Sequence, residues 1–179
     1  IARADLIRLA ARAHADRLAL VAPVLKDSSG RIVSDGIVVC LADGSMRSRR
    51  SPRPIPPGGT QPWLSGACLL LPRKVWQELG GFDDAYFMFF EDVDLGARVG
   101  KAGYENLQVP GAVVVHEQGA SWKARPENMI RAHHASARLY MSRIYPHLWQ
   151  APLRGAINAG LSLREEMEVR RPNQRTKHA

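Results

Sequence analysis

Cysteine is scarce: the 179 residues hold two, Cys40 and Cys68, and they form no C-x-x-C pair. That excludes a disulfide framework and a cysteine-built zinc site, and it leads us to expect a reducing, cytoplasmic location. No apolar run approaches the roughly 18 residues that a membrane-crossing helix needs. Aromatic residues are few, at 7%. They are not interleaved with the basic clusters Arg47 to Arg53 and Arg164 to Lys177, so a stacking platform for bases is missing and nucleic acid is excluded as a partner. No internal repeat is present.

The remainder is an ordinary globular composition, 45% hydrophobic and 23% charged with a net charge of +8, sufficient for one domain with its own core. Residues 2 to 17 carry Leu6, Ile7, Leu9, Ala10 and Ala13 at helical spacing. Leu18 to Leu25 (LALVAPVL) is the near-continuous apolar run of a strand buried on both faces, and Lys26 to Gly30 supplies a turn. Arg31 to Leu41 reads as a second strand. From Ala42 to Pro62 the chain is Ser, Arg, Pro and Gly, which predicts a long basic loop. Trp63 to Leu71 reads as a strand carrying Gly66, a position where backbone passes close to a ligand. Pro72 opens a helix over 73–79 that Gly80-Gly81 ends. Glu105 to Val109 and Ala112 to His116 read as two strands broken by Pro110-Gly111, with His116 at the C-terminal edge where open α/β sheets bind ligands. Helices follow from Pro126 to Pro146 and from Leu148 to Met167. Arg131, Arg138, Arg143 and Arg154 make them basic, which suits peripheral contact with an anionic membrane.

The distinctive stretch is Gly80 to Arg98, GGFDDAYFMFFEDVDLGAR. An aromatic block (Tyr86, Phe87, Phe89, Phe90) runs directly into Glu91, Asp92 and Asp94. Burial of the rings would fix the backbone beside them and give the carboxylates a rigid mount. The three acids fall in the first turn of a helix that ends near Gly103, where backbone N–H groups favour ionised carboxylates. Such acids are commonly caps. Asp94 and Arg98 are four apart and pair, whereas Asp92 has Leu95 and Gly96 one turn on. Asp92 is therefore the carboxylate available for chemistry.

The order of motifs over residues 65–121 resembles the C-terminal half of the glycosyltransferase family 2 catalytic domain, most of all its rhamnosyltransferase-like members. It runs as a small-residue S-G-A strand, a basic helix start, G-G-F-D-D, an aromatic run, E-D-x-D-L-x-x-R, a helix ending in Gly, and a strand ending in His. The resemblance implies an α/β, GT-A-like (Rossmann-like) mixed sheet followed by C-terminal helices. It also implies an inverting transfer of a sugar such as rhamnose from a nucleotide-diphosphate donor to a lipid-linked or cell-wall glycan acceptor. By position, Asp92 would be the catalytic base and Glu91 would orient it or the acceptor. His116 would contact the divalent metal (Mg or Mn) or the diphosphate. Trp63, Gly66, Ala67 and Ser121 would line the substrate site, with Asp94 and Arg98 supporting it.

One departure accompanies the match. The family's nucleotide-binding strands and D-x-D motif precede the matched part and do not occur in these residues, and the first residue is not Met. The expectation is an acceptor half: residues 1–125 as a partial GT-A domain and 126–179 as a helical extension with a basic tail. Two readings stay open, part of an enzyme or a non-catalytic acceptor-binding module. The exposed sheet edge implied by a half-domain makes a homo-oligomer a further expectation.

Overall fold

The computed structural model describes residues 1–15, 18–34, 37–40, 46–48, 60–117 and 126–170. The chain forms two compact units. One holds residues 1–84 and 91–118, and the other holds residues 85–90 and 119–179. The boundary expected at residue 125 lies outside the described residues, and the aromatic segment 85–90 groups with the helices that follow it.

The first unit is built on β1 (Ala19–Lys26), which lies between β2 (Ile32–Ser34), antiparallel, and β6 (Glu105–Val115), parallel. Alternate residues of β1 enter two separate cores, which is why its sequence is apolar throughout. Ala19 and Val21 pack with Leu9 and Ala13 of α1 (Arg3–Ala13) and with Ala112. Leu20 and Ala22 pack with Leu64 and with Leu95 and Val99 of α3 (Glu91–Lys101). This mixed sheet covered by helices is the GT-A-like α/β arrangement that the resemblance implies. A second antiparallel sheet has the order β4 (Met46–Ser48), β3 (Ile37–Cys40), β5 (Thr60–Trp63).

Four expectations are corrected. Glu105 to Val115 is one strand, with its register against β1 slipping between Pro23 and Val24, so that Pro110, Gly111 and Ala112 have no partner in β1. Pro23 has no N–H to give to a ladder, and the bulge sits beside it. Residues 31–41 split between two sheets. The first piece is tied to β1 through a turn in which the Asp27 carboxylate accepts from the Ser29 and Arg31 backbone N–H groups, at 3.0 Å each. Gly30 completes that turn at φ +82°. Trp63 to Leu71 is not one strand: it leaves β5 at Trp63, turns through Ser65 to Cys68, and rejoins the first sheet only as a two-residue bridge between Leu70 and Val21. The basic loop expected over 42–62 contains β4 and the start of β5, its other residues lying outside the described ones.

Helix α2 (Arg73–Leu79) ends as expected, with Gly80 and Gly81 both left-handed at φ +74° and +72°. Arg98 clamps this end to α3. Its guanidinium donates to the Leu79 carbonyl at 2.7 Å, the Gly81 carbonyl at 2.8 Å and the Asp94 carboxylate at 2.7 Å. The G-G and D-x-x-x-R parts of the motif are thus two sides of one contact.

In the second unit α4 (Pro126–Ile144) and α5 (Ala151–Arg170) form a hairpin joined through a 3-10 turn, Leu148–Gln150. Arg138 and Arg131 of α4 both reach Glu165 of α5. Tyr86 and Phe90 are buried, Phe90 against His133 and Tyr140, with Arg143 4.9 Å above the Tyr86 ring. Phe87 departs from the expected burial of the block, being 84% exposed.

A Cβ on Gly81 would lie 2.6 Å from the Trp76 ring, whereas one on Gly80 would meet nothing within 4 Å. Both alanine variants carry the left-handed backbone cost of about 1–2 kcal/mol. Gly81→Ala adds the displacement of Trp76, so urea unfolding should show it to be the more destabilised of the two. Equal losses would show that Trp76 yields freely.

Candidate active site

The first turn of α3 holds Glu91, Asp92 and Asp94. The two residues before it, Phe89 and Phe90, both have φ +66°. Bulky side chains avoid that region at a cost of about 1–3 kcal/mol each, so the chain enters α3 through a strained corner.

Asp92 is buried, at 7% exposure. Its Oδ2 accepts the Gly66 backbone N–H at 2.7 Å and its Oδ1 accepts the Val93 N–H at 2.8 Å. A Cβ on Gly66 would stand 3.2 Å from both Cβ and Oδ2 of Asp92. The absence of a side chain at Gly66 is what lets the backbone donate so closely, and it explains why the chain turns here instead of continuing as a strand.

Burial raises the Asp92 pKa from 3.8 to about 6. The Gly66 N–H opposes that rise, as does the Trp63 indole, while the charge of Glu91 adds to it. The Trp63 Nε1–H falls short of hydrogen-bond geometry and is a buried donor without a partner among the described residues. Glu91 Oε2 is likewise buried and unpartnered there. Around a carboxylate poised near neutrality stand one donor and one acceptor that a hydroxylated ligand could satisfy.

The other sequence-derived residues divide between scaffold and edge. Asp94 and Arg98 form the clamp described above. Ala67 lies in the turn, its N–H 3.4 Å from Ser65 Oγ. His116 follows β6 at the sheet edge, its backbone N–H donating to the Lys26 carbonyl at 2.8 Å. Ser121 lies outside the described residues. The described residues do not fit a metal site: no group of three or more His, Cys, Asp or Glu side chains converges among them. Among the described residues, His116 belongs to no such group.

Gly66 also borders an open cavity of about 430 Å³, lined by Leu20 of β1, Leu95 of α3 and the leucines at 69–71 together with Arg73, Trp76 and Phe82. The Trp76 and Phe82 rings meet edge to face at 5.3 Å. Sequence reasoning passed over these three. The signal that was available is aromatic residues on both sides of a Gly-Gly turn, with a cation opening the helix.

Residues 56–135 match the family model described as "Glycosyltransferase like family 2". Over these residues the chain is similar to glycosyltransferase family 2. An N-acetylglucosaminyl-diphospho-decaprenol L-rhamnosyltransferase of Mycobacterium tuberculosis (strain ATCC 25618 / H37Rv) is 44% identical over 108 residues, which cover 60% of this chain and 35% of that protein. Rhamnosyltransferase WbbL of Escherichia coli (strain K12) is 30% identical over 81 residues, 45% of this chain and 31% of that protein. O-antigen biosynthesis protein RfbC of Myxococcus xanthus is 36% identical over 67 residues, 36% of this chain and 5% of that protein. The chain thus spans about a third of the length of the mycobacterial relative. No solved structure matches significantly. Both the E-D-x-D-L-x-x-R motif and the Gly66 turn fall inside the family 2 match.

The raised pKa of Asp92 has a thermodynamic sign. Between pH 3.8 and about 6 the folded state binds the proton that the unfolded state has released, so stability falls as pH rises through this window. At neutral pH the buried charge costs on the order of 3 kcal/mol. Asp92→Asn carries no such charge, so its stability relative to the parent protein should be about 1 kcal/mol more favourable at pH 7 than at pH 5. Chemical denaturation at the two pH values measures this; a pH-independent difference would mean that Asp92 titrates normally.

Proposed function

We propose that the chain contributes the acceptor side and the general base of an inverting glycosyltransferase. Asp92 takes the proton of the acceptor hydroxyl as that oxygen attacks the anomeric carbon of a nucleotide-diphosphate sugar. The new C–O bond forms on the face opposite the departing diphosphate, the bond to the diphosphate breaks, and the proton stays on the carboxyl. The observation that carries this reading is the buried Asp92 carboxylate, held by two backbone N–H groups with its pKa near 6. A base of that strength is mostly ionised at pH 7 and still accepts a proton.

The Gly66 and Val93 N–H groups fix both carboxylate oxygens, so the base is positioned before the acceptor arrives. Glu91 Oε2 and the Trp63 indole are assigned to sugar or acceptor hydroxyls, and Ala67 to the rim beside Gly66. Asp94 and Arg98 keep α3 in register with α2. His116 is assigned, from its place at the sheet edge, to the diphosphate side. Rhamnose as the sugar and a polyprenyl-diphosphate-linked glycan as the acceptor are supported by the names of the mycobacterial and Escherichia coli relatives. An acceptor of that kind would bring the reaction to a membrane surface.

In the complete enzyme, Asp92→Asn should lower turnover by about two to four orders of magnitude. The parent enzyme's kcat/KM should rise with pH through an apparent pKa of about 6, and the variant should lose that limb. Steady-state kinetics from pH 5 to 8 tests both. Near-normal turnover in the variant would remove Asp92 from the chemistry and favour a non-catalytic acceptor-binding role.

A further inference from the structure

The turn that joins the two helices of the second unit exposes its largest apolar side chains. Leu148 is 88% exposed and Trp149 77%, and Leu153, one turn into α5, is also exposed. His147 stacks on Trp149 with the rings 6.0 Å apart and nearly parallel. The backbone around them is well held. Arg154 donates to the carbonyls of Tyr145 and His147, and the Gln150 side chain accepts the His147 N–H. A rigid, capped turn thus presents a leucine and an indole side chain to solvent, where burial of neither serves the fold.

Charge identifies what such a tip would meet. Residues 119–179 hold eleven Lys and Arg against four Glu, so they carry seven of the chain's eight net positive charges. The four Glu are each ion-paired with an arginine of the same unit: Glu127 with Arg131, Glu165 with Arg138, Glu168 with Arg164, and Glu166 with Arg170. Between Glu127 and Glu165 no acidic residue occurs, and this acid-free span contains the whole tip. Three of the arginines that the sequence reading offered as a basic face, Arg131, Arg138 and Arg154, are instead bonded within the hairpin. The apolar tip, inside this acid-free span, takes the place of that face.

We infer that Leu148, Trp149 and Leu153 dock this unit on an anionic bilayer, the apolar side chains entering the boundary between headgroups and acyl chains. Indole rings favour that depth, and surplus cations strengthen binding to acidic headgroups. A second copy of the chain is the less favoured occupant, since two tips of like charge would repel. The inference extends the membrane-side part of the proposed function and needs none of its chemistry.

Vesicle co-sedimentation of the protein tests it, comparing phosphatidylglycerol–phosphatidylcholine vesicles with phosphatidylcholine alone. Binding should require the anionic lipid and weaken with added salt. The double variant Leu148→Ser, Trp149→Ser should partition at least about tenfold less, with an unchanged melting temperature because both side chains are already in water. Trp149→Phe should retain most of the binding. Undiminished binding by the double variant, or equal binding to neutral vesicles, would overturn the inference. So would light scattering that finds a dimer dispersed by the double variant with no vesicle binding. Transfer activity is not measured in this experiment, so its failure leaves the assignment of Asp92 standing.

Discussion

The hydrogen bond from Gly66 to Asp92 joins two parts of the chain 26 residues apart, and much of the sheet unit is arranged to let it form. An aspartate buried at a helix start needs donors, and the first turn of α3 supplies one through Val93. The other has to come from outside the helix. It comes from a backbone that leaves β5, turns at a residue with no Cβ, and returns to β1 at Leu70. The second core, of Leu20, Ala22, Leu64, Leu95 and Val99, fixes α3 and Leu64 against the same strand, which sets the distance across which the bond is made. Arg98 then locks the opposite side of α3 to the end of α2.

That arrangement leaves the carboxylate destabilised as an anion. The two N–H groups and the nearby Trp63 indole do not replace the water removed by burial, and the neighbouring Glu91 charge adds to the deficit, so the pKa settles near 6. The cost to folding and the capacity to accept a proton at neutral pH are two consequences of one environment. The strained Phe89–Phe90 corner lies directly ahead of Glu91, so local backbone strain adjoins the same carboxylates.

Much of this was legible in the residues where the signal is local. The two-faced burial of β1 follows from its unbroken apolar run, the stop of α2 from Gly80-Gly81, and the Asp94–Arg98 pair from helical spacing. Long-range contacts were not legible. Nothing in local spacing says that Arg98 will also bind the carbonyls of Leu79 and Gly81, or that the Gly66 N–H will be diverted from a strand ladder to Asp92. The single β6 was misread because Pro110-Gly111 signals a turn, and only its pairing opposite Pro23 turns that signal into a bulge. The block of aromatics suggested uniform burial, but Phe87 faces water while Phe90 is enclosed: a hydrophobic run marks a core without saying which of its members enter it.

The central claim is that burial, incompletely offset by two backbone donors, holds Asp92 near neutrality. Its most direct test is a carbon-13 NMR titration of the Asp92 side-chain carboxyl, assigned by comparison with Asp92→Asn. The account predicts a midpoint near pH 6, well above the ordinary value of 3.8. A midpoint at or below 4 would show that the backbone donors outweigh burial, and the physical case for Asp92 as a base tuned to neutral pH would be lost.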